Sequence, residues 1–236
     1  MLILYDIDMT LVETDHIGIT LLENAGQDLF HDKFTAEGIN FGGALDPVII
    51  SAMLKNNNVD VTQANIDAIR AHYHNGLETT AAQRPVARAL PGAHDLVNAT
   101  LESDAIDSLG LLTGNYPETG TIKIKSAGFN PDHFTINAWG DDSPHDQPLR
   151  SHLPPVAINR FADAKSRPID PEQVIIIGDT IHDVTCALDN DCRVLAVATG
   201  HATRQQLEDA GAHLVVDDLT RTQELLDWIT HTPARR

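Results

Sequence analysis

Leu2–Thr10 reads LILYDIDMT, and no other stretch constrains the chain as tightly. The unbroken apolar run leaves no polar face, which is the pattern of a parallel strand buried on both sides. Charges are tolerated only where such a strand leaves the core. Asp6 and Asp8 therefore belong at its carboxyl end, the rim where ligands bind in open α/β sheets. Alternate residues of a strand project to the same side. Two carboxylates held that close need a cation or a proton between them.

Behind this strand the pattern turns helical. Ile17, Leu21, Leu22, Ala25 and Leu29 form a stripe, with Thr14 or Asp15 as cap. Phe41-Gly42-Gly43 breaks it. Asp46-Pro47 reads as the cap and first residue of a second helix, which carries Ile49, Ile50, Met53 and Leu54 and ends at Asn56-Asn57-Asn58. Thr62 caps a long third helix with Ile66, Ile69, Tyr73 and Leu77. No strand is expected in this block.

From Ala89 onward, helices alternate with short apolar runs. Strands are expected at Ser108–Thr113, Phe134–Trp139, Val174–Gly178, Arg193–Ala198 and His213–Val216. Helices are expected after Pro91-Gly92, from Pro117, over Pro155–Ser166, after Gly178, over Arg204–Ala210 and around Leu225, Leu226 and Ile229. Such alternation gives a parallel sheet with helices on both faces. The expected class is α/β: a Rossmann-like core of residues 1–12 and 88–236, with residues 13–87 inserted as a helical unit. The tail His231–Arg236 reads as a frayed end.

Composition narrows the partners. The formal charge of −18 argues against nucleic acid or an anionic membrane, both of which need a basic surface. No apolar run approaches the roughly 20 residues of a membrane helix. The start lacks the features of a signal peptide. Cys186 and Cys192 read as buried thiols of a reducing compartment, with a disulfide as the lesser alternative. A cytoplasmic monomer or homodimer is expected.

Three strand ends bear chemistry. The first gives Asp6 and Asp8, the second Thr113-Gly114-Asn115, the third Gly178-Asp179. Asp183 stands one helical turn further on and returns to the same face. A Thr hydroxyl and backbone N–H groups suit phosphate oxygens, and converging carboxylates suit Mg²⁺. Singly, each has an ordinary reading: Asp-x-Asp as a solvated turn, Thr-Gly-Asn as a turn, Gly-Asp as a helix cap. Together, at carboxyl ends of parallel strands, they read as one site.

On these residues the sequence resembles the haloacid dehalogenase superfamily, in its phosphatase branch. Asp6, Asp8 and Thr10 match the Asp-x-Asp-x-Thr motif. Thr113 matches the strand-end Thr/Ser, and Gly178, Asp179 and Asp183 match Gly-Asp-x-x-x-Asp. Residues 13–87 look like the family's helical cap. Gly43-Ala44-Leu45-Asp46 looks like a Gly-Lys-Thr-Asp segment of phosphoglycolate-phosphatase-like members that has lost its lysine.

The resemblance implies a Mg²⁺-dependent phosphatase acting on a small phosphate ester. Asp6 would be the nucleophile that forms an aspartyl phosphate, and Asp8 the acid and base. The metal would be held by Asp6, the Asp8 backbone, Asp179 and Asp183. Thr113, the Gly114 N–H and Arg150 would hold the phosphoryl oxygens, with Asn115 and Lys123 also counted among the phosphate-binding residues. The family's basic residue is sought among Lys123, Lys125, Arg150 and Lys165; Arg150 is favoured by its place after the polar loop, and Lys123 follows. Asp8 argues against dehalogenation, which needs one aspartate only. A sugar phosphomutase and a non-catalytic binding protein on the same scaffold are the alternatives.

Several other residues suggest a site less directly. Glu13, His16, the Gly42-Gly43 loop and Ala198-Thr199-Gly200-His201 lie where they would line the pocket. His72-x-His74 reads as two exposed histidines, since i and i+2 of a helix face apart. Asp141-Asp142 and Asp217-Asp218 read as loop and cap charges.

Overall fold

The computed structural model describes residues 1–231. In chain order the elements are β1 (Leu2–Tyr5), β2 (Val12–Glu13), α1 (Ile17–Leu29), α2 (Asp46–Asn56), α3 (Gln63–Ala81), β3 (Arg88–Ala89), α4 (Ala93–Glu102), β4 (Ser108–Leu111) and α5 (Pro117–Ser126). They continue with α6 (Leu153–Lys165), β5 (Val174–Gly178), α7 (Ile181–Leu188), β6 (Arg193–Val197), α8 (Arg204–Asp209), β7 (Leu214–Val216) and α9 (Thr222–Thr230). Of the tail, only His231 falls within the described residues.

β1 is an inner strand of a parallel sheet of order β4-β1-β5-β6-β7, with Leu2 paired to Ser108 on one side and Val174 on the other. Every residue of β1, β4, β5 and β6 is buried, as a strand covered on both faces requires. Side chains divide by parity. Ile3, Tyr5, Ile175, Ile177, Leu195 and Val197 pack on one face with Leu96 and Val97 of α4 and Leu225 and Ile229 of α9. Leu2, Leu4, Val174, Ile176, Val194 and Ala196 pack on the other with Leu153, Ala157 and Phe161 of α6 and Val184 of α7. At about 1.5–3 kcal/mol per large side chain removed from water, this double layer is the main source of stability. Both faces being filled, the polar strand ends at the rim are left as the place for chemistry.

α1, α2 and α3 enclose a third apolar cluster that includes Leu22, Ile50, Met53, Ile69, Tyr73 and Leu77. Tyr116, from the loop before α5, also packs into it. Thr62 caps α3 as its residue type suggests, accepting from the Asn65 N–H at 3.2 Å.

Several expectations are corrected. Val12–Glu13 does form a strand, pairing antiparallel with Arg88–Ala89 where the chain enters and leaves the helical block. Two residues are too short to show a period. Phe134–Trp139 is not a strand; it only touches β4 through isolated bridges from Phe134 to Leu109 and from Ala138 to Leu112. The Asn137 side chain breaks that ladder by accepting from the Leu111 N–H. Neither Thr14 nor Asp15 caps α1; His16 takes the position with left-handed φ of 61° and no side-chain cap. Leu29 is exposed, and Gly26 takes the buried place, pressed against the Phe34 ring. Asp46 lies inside α2, and its carboxylate serves another element. Ile122 faces the helical block, while Thr119, Gly120, Lys123 and Ile124 are the buried residues of α5. Cys186 and Cys192 are free buried thiols.

Candidate active site

The chain turns sharply after β1. The N–H groups of Leu11 and Val12 both donate to the Ile7 carbonyl at 3.0 Å, and Met9 takes a φ of 58°. This turn leaves Asp6 and Asp8 at the rim and folds the Thr10 hydroxyl back to donate to Asp179 Oδ1 at 3.2 Å. Thr10 is fully buried and orients Asp179.

β5 ends at Gly178 and α7 begins two residues after Asp179. Thr180 and Asp183 cap that helix reciprocally. The Asp183 N–H donates to Thr180 Oγ1 at 3.1 Å, while Asp183 Oδ2 accepts from the Thr180 N–H at 3.0 Å and its hydroxyl at 2.6 Å. One oxygen of Asp183 is thereby fixed and the other left over. Carboxylate oxygens of Asp6, Asp179 and Asp183 lie within 4.8 Å of one another, all three residues buried.

Arg150 enters this cluster from the turn before α6. Its Nη2 lies 3.0 Å from Asp6 Oδ1 and 2.6 Å from Asp183 Oδ1, and donates to the Leu112 carbonyl at 3.2 Å. Lys123 takes a different place. Its Nζ donates to both Asp8 oxygens, at 2.9 and 2.8 Å, and to Asn115 Oδ1 at 2.6 Å. The Asn115 amide donates to Asp8 Oδ2 at 2.7 Å and to Thr113 Oγ1 at 2.9 Å. Two of the four basic candidates thus stand at the rim, each with one of the first two aspartates. Lys125 is exposed, and Lys165 donates to the Asp107 carbonyl at the opposite end of β4.

Burial and mutual repulsion govern the acids. Burial pushes Asp6 up to about 6, against the pull of Arg150 and with help from Asp183 and Asp8. Asp179 is raised well above the usual carboxylate range by burial and by the charges of Asp183 and Asp6. Three carboxylates against one guanidinium leave two negative charges over, at a cost of several kcal/mol for each uncompensated buried ion. Both atoms being buried, Arg150 Nε makes no hydrogen bond, and Asp183 Oδ1 has only its 2.6 Å ion pair with Arg150 Nη2. An oxygen-only donor set with surplus carboxylates suits a hard divalent cation.

Ala198–His201 does reach this rim. The Thr199 hydroxyl donates to the Met9 carbonyl, and a Cβ on Gly200 would stand 1.8 Å from Asp179 Oδ2. Glu13 and His16 do not reach it: Glu13 pairs with Arg88 at 2.7 Å, and His16 is an exposed cap residue. His72 pairs with Asp28, Asp142 with Arg160, and Asp217 with Arg204.

The docking of the helical block at this rim is not anticipated from local patterns. The Asp46 N–H donates to the Gly114 carbonyl at 2.7 Å, and Asp46 Oδ2 accepts from the Tyr116 N–H at 3.1 Å. A Cβ on Gly114 would meet the Ala44 carbonyl at 2.0 Å, so glycine permits this approach. Arg70 of α3 donates to both Glu118 oxygens, at 2.6 and 2.9 Å. It also lies 3.0 Å from Asp141 and 3.8 Å over the Tyr116 ring. These contacts are long-range, and no local pattern announces them.

Residues 153–222 match the HAD-hydrolase-like family model, a span that holds Asp179 and Asp183. No curated protein matches the sequence. The fold is shared with a hydrolase from Pseudomonas syringae at 21% identity, covering 97% of this chain and 98% of that one with a TM-score of 0.69. It is shared with a predicted phosphoglycolate phosphatase from Haemophilus somnus 129PT at 16% identity, over 95% and 96% of the two chains with a TM-score of 0.68. CbbY from Rhodobacter sphaeroides, solved in complex with phosphate, matches at 19% identity over 93% and 94% with a TM-score of 0.73. The chain is thus similar to HAD-hydrolase-like proteins over residues 153–222 and shares the fold of these neighbours over nearly its whole length.

Proposed function

We propose that the protein is a Mg²⁺-dependent phosphatase acting on a small organic phosphate monoester. The observation that carries this reading is the buried convergence of Asp6, Asp179 and Asp183 from two adjacent strand ends. Asp6, the Asp8 carbonyl, Asp179 and Asp183 would hold Mg²⁺. Bound there, the ion offsets the negative charge of the carboxylates and of the phosphoryl group.

Asp6 attacks phosphorus and carries the phosphoryl group as an aspartyl phosphate. Asp8 gives its proton to the departing ester oxygen and then takes one from the water that cleaves the intermediate. Lys123 and Asn115 position Asp8 by donating to both of its oxygens. Thr113, the Gly114 N–H and Asn115 hold phosphoryl oxygens, and Arg150 keeps Asp6 aimed while offsetting charge. Residues 13–87 act as a cap that excludes water from the rim.

Asp6→Asn tests the reading. Turnover of p-nitrophenyl phosphate should fall to background while thermal unfolding stays cooperative; wild-type turnover by that variant refutes the nucleophile. A phosphomutase would instead return an isomerised sugar phosphate without net phosphate release.

A further inference from the structure

Arg150 is held at one corner of its guanidinium. Its contacts with Asp6, Asp183 and the Leu112 carbonyl all run through Nη2, and its buried Nε makes no hydrogen bond. A planar fork gripped at one prong can pivot about it. Its aim therefore depends on where the turn Arg150–His152 sets the backbone. Two side chains from the far end of α7 hold that turn by its carbonyls. Cys186 Sγ donates to the Arg150 carbonyl at 3.2 Å. Asn190 spends its amide on the Ser151 and Cys186 carbonyls, each at 2.9 Å. On the other flank, His152 Nδ1 accepts from the Leu149 N–H at 3.1 Å.

Resting on the phosphatase reading, we infer that Asn190 is a positioning residue for that reaction: by tying the Ser151 carbonyl to the end of α7, it sets the aim of Arg150 between Asp6 and Asp183. Asn190 lies about 10 Å along the helix direction from Asp183, so it acts through the turn and not on substrate. Asp183, Cys186 and Asn190 follow at intervals of three and four residues, which places them along one side of α7 and its end. That end is itself fixed. The N–H groups of Asn190 and Cys192 both return to the Ala187 carbonyl, at 3.1 and 2.9 Å, around Asp191 at a φ of 55°. One rigid element thus orients both partners of the Arg150–Asp183 pair, the acid directly and the guanidinium through its backbone. Without the Asn190 donor, the Ser151 carbonyl must turn to water, and Nη2 no longer spans both acids.

Two variants test this, Asn190→Ala and Asn190→Asp, the second keeping the shape of the side chain but not the donor. Circular dichroism and a cooperative thermal melt establish that each is folded. With p-nitrophenyl phosphate and Mg²⁺, kcat should fall about three- to tenfold in Asn190→Ala while KM stays within about twofold, and Asn190→Asp should lose at least as much. The second readout needs no turnover. In protein carrying isotope-labelled arginine, the Nε–H resonance of Arg150, assigned by its loss in Arg150→Lys, should shift or broaden in both variants. An inactive unaltered protein counts against the phosphatase reading, and the resonance then still decides whether Asn190 aims Arg150. An unmoved resonance overturns the inference, as does an unchanged kcat or a loss confined to KM in an active protein. A lower melting temperature with resonance and kcat unchanged also overturns it, since Asn190 then only closes the end of α7.

Discussion

Asp46 shows how a single carboxyl can serve docking at the expense of stability. Burial pushes it up to about 6; Lys123 and the Tyr116 N–H oppose the rise, while Asp8 and Glu118 add to it. A folded-state value above the unfolded one means that the proton stabilises the fold. That stability is fully present below about 4 and is lost as pH rises through about 6. Asp46→Asn keeps an acceptor for Tyr116 without the charge. It should therefore raise stability by on the order of 1–3 kcal/mol at pH 7.5, and the gain should vanish toward pH 4, as thermal melts across that range will show. Gly200 is constrained by space instead. With a Cβ 1.8 Å from Asp179 Oδ2, Gly200→Ala must displace that carboxylate. The expected outcome is about a tenfold higher Mg²⁺ concentration for half-maximal activity, with little change in the thermal melt. An unchanged Mg²⁺ dependence would remove Asp179 from the ligand set.

Strand ends and helix starts carry the site, and α7 illustrates the coupling. Its capping box with Thr180 also fixes one oxygen of Asp183, so the first turn of the helix doubles as the support of a buried acid. Thr180→Ala should cost about 1 kcal/mol of stability in chemical denaturation and lower kcat more than it raises KM; Thr180→Ser should restore both. Elements like this were legible in the sequence because their signals are local. Apolar runs ending in Asp or Thr mark β1, β4 and β5, and the capping residues mark α3. The segment over Phe134–Trp139 misled because its alternating burial mimics a strand, while Asn137 takes the hydrogen bond that a ladder would need. Arg150 was favoured over Lys123 by its place in the chain, but their different partners were not legible, since each pairs with an aspartate more than 100 positions away. The meeting of Ala44 with Gly114, and of Arg70 with Glu118, left no trace in either segment alone.

Over the whole molecule, the helical block is tied to the sheet at Gly114, at Tyr116 and through the Arg70 cluster. Arg70 and Glu118 are each about a third exposed, so the pair is worth on the order of 1 kcal/mol or less despite its two-pronged geometry. Arg70→Ala should speed hydrogen exchange in α3 and at the start of α5 by a few-fold. The difference from the unaltered protein should shrink in 1 M NaCl, where screening acts over about 3 Å. The two chain crossings between block and sheet also lie side by side as β2 and β3, with Arg88 bridging Glu13 and Asp15. Both covalent attachments of the block to the sheet therefore lie side by side, which leaves the contacts at Gly114, Tyr116 and Arg70 to hold the block against the rim.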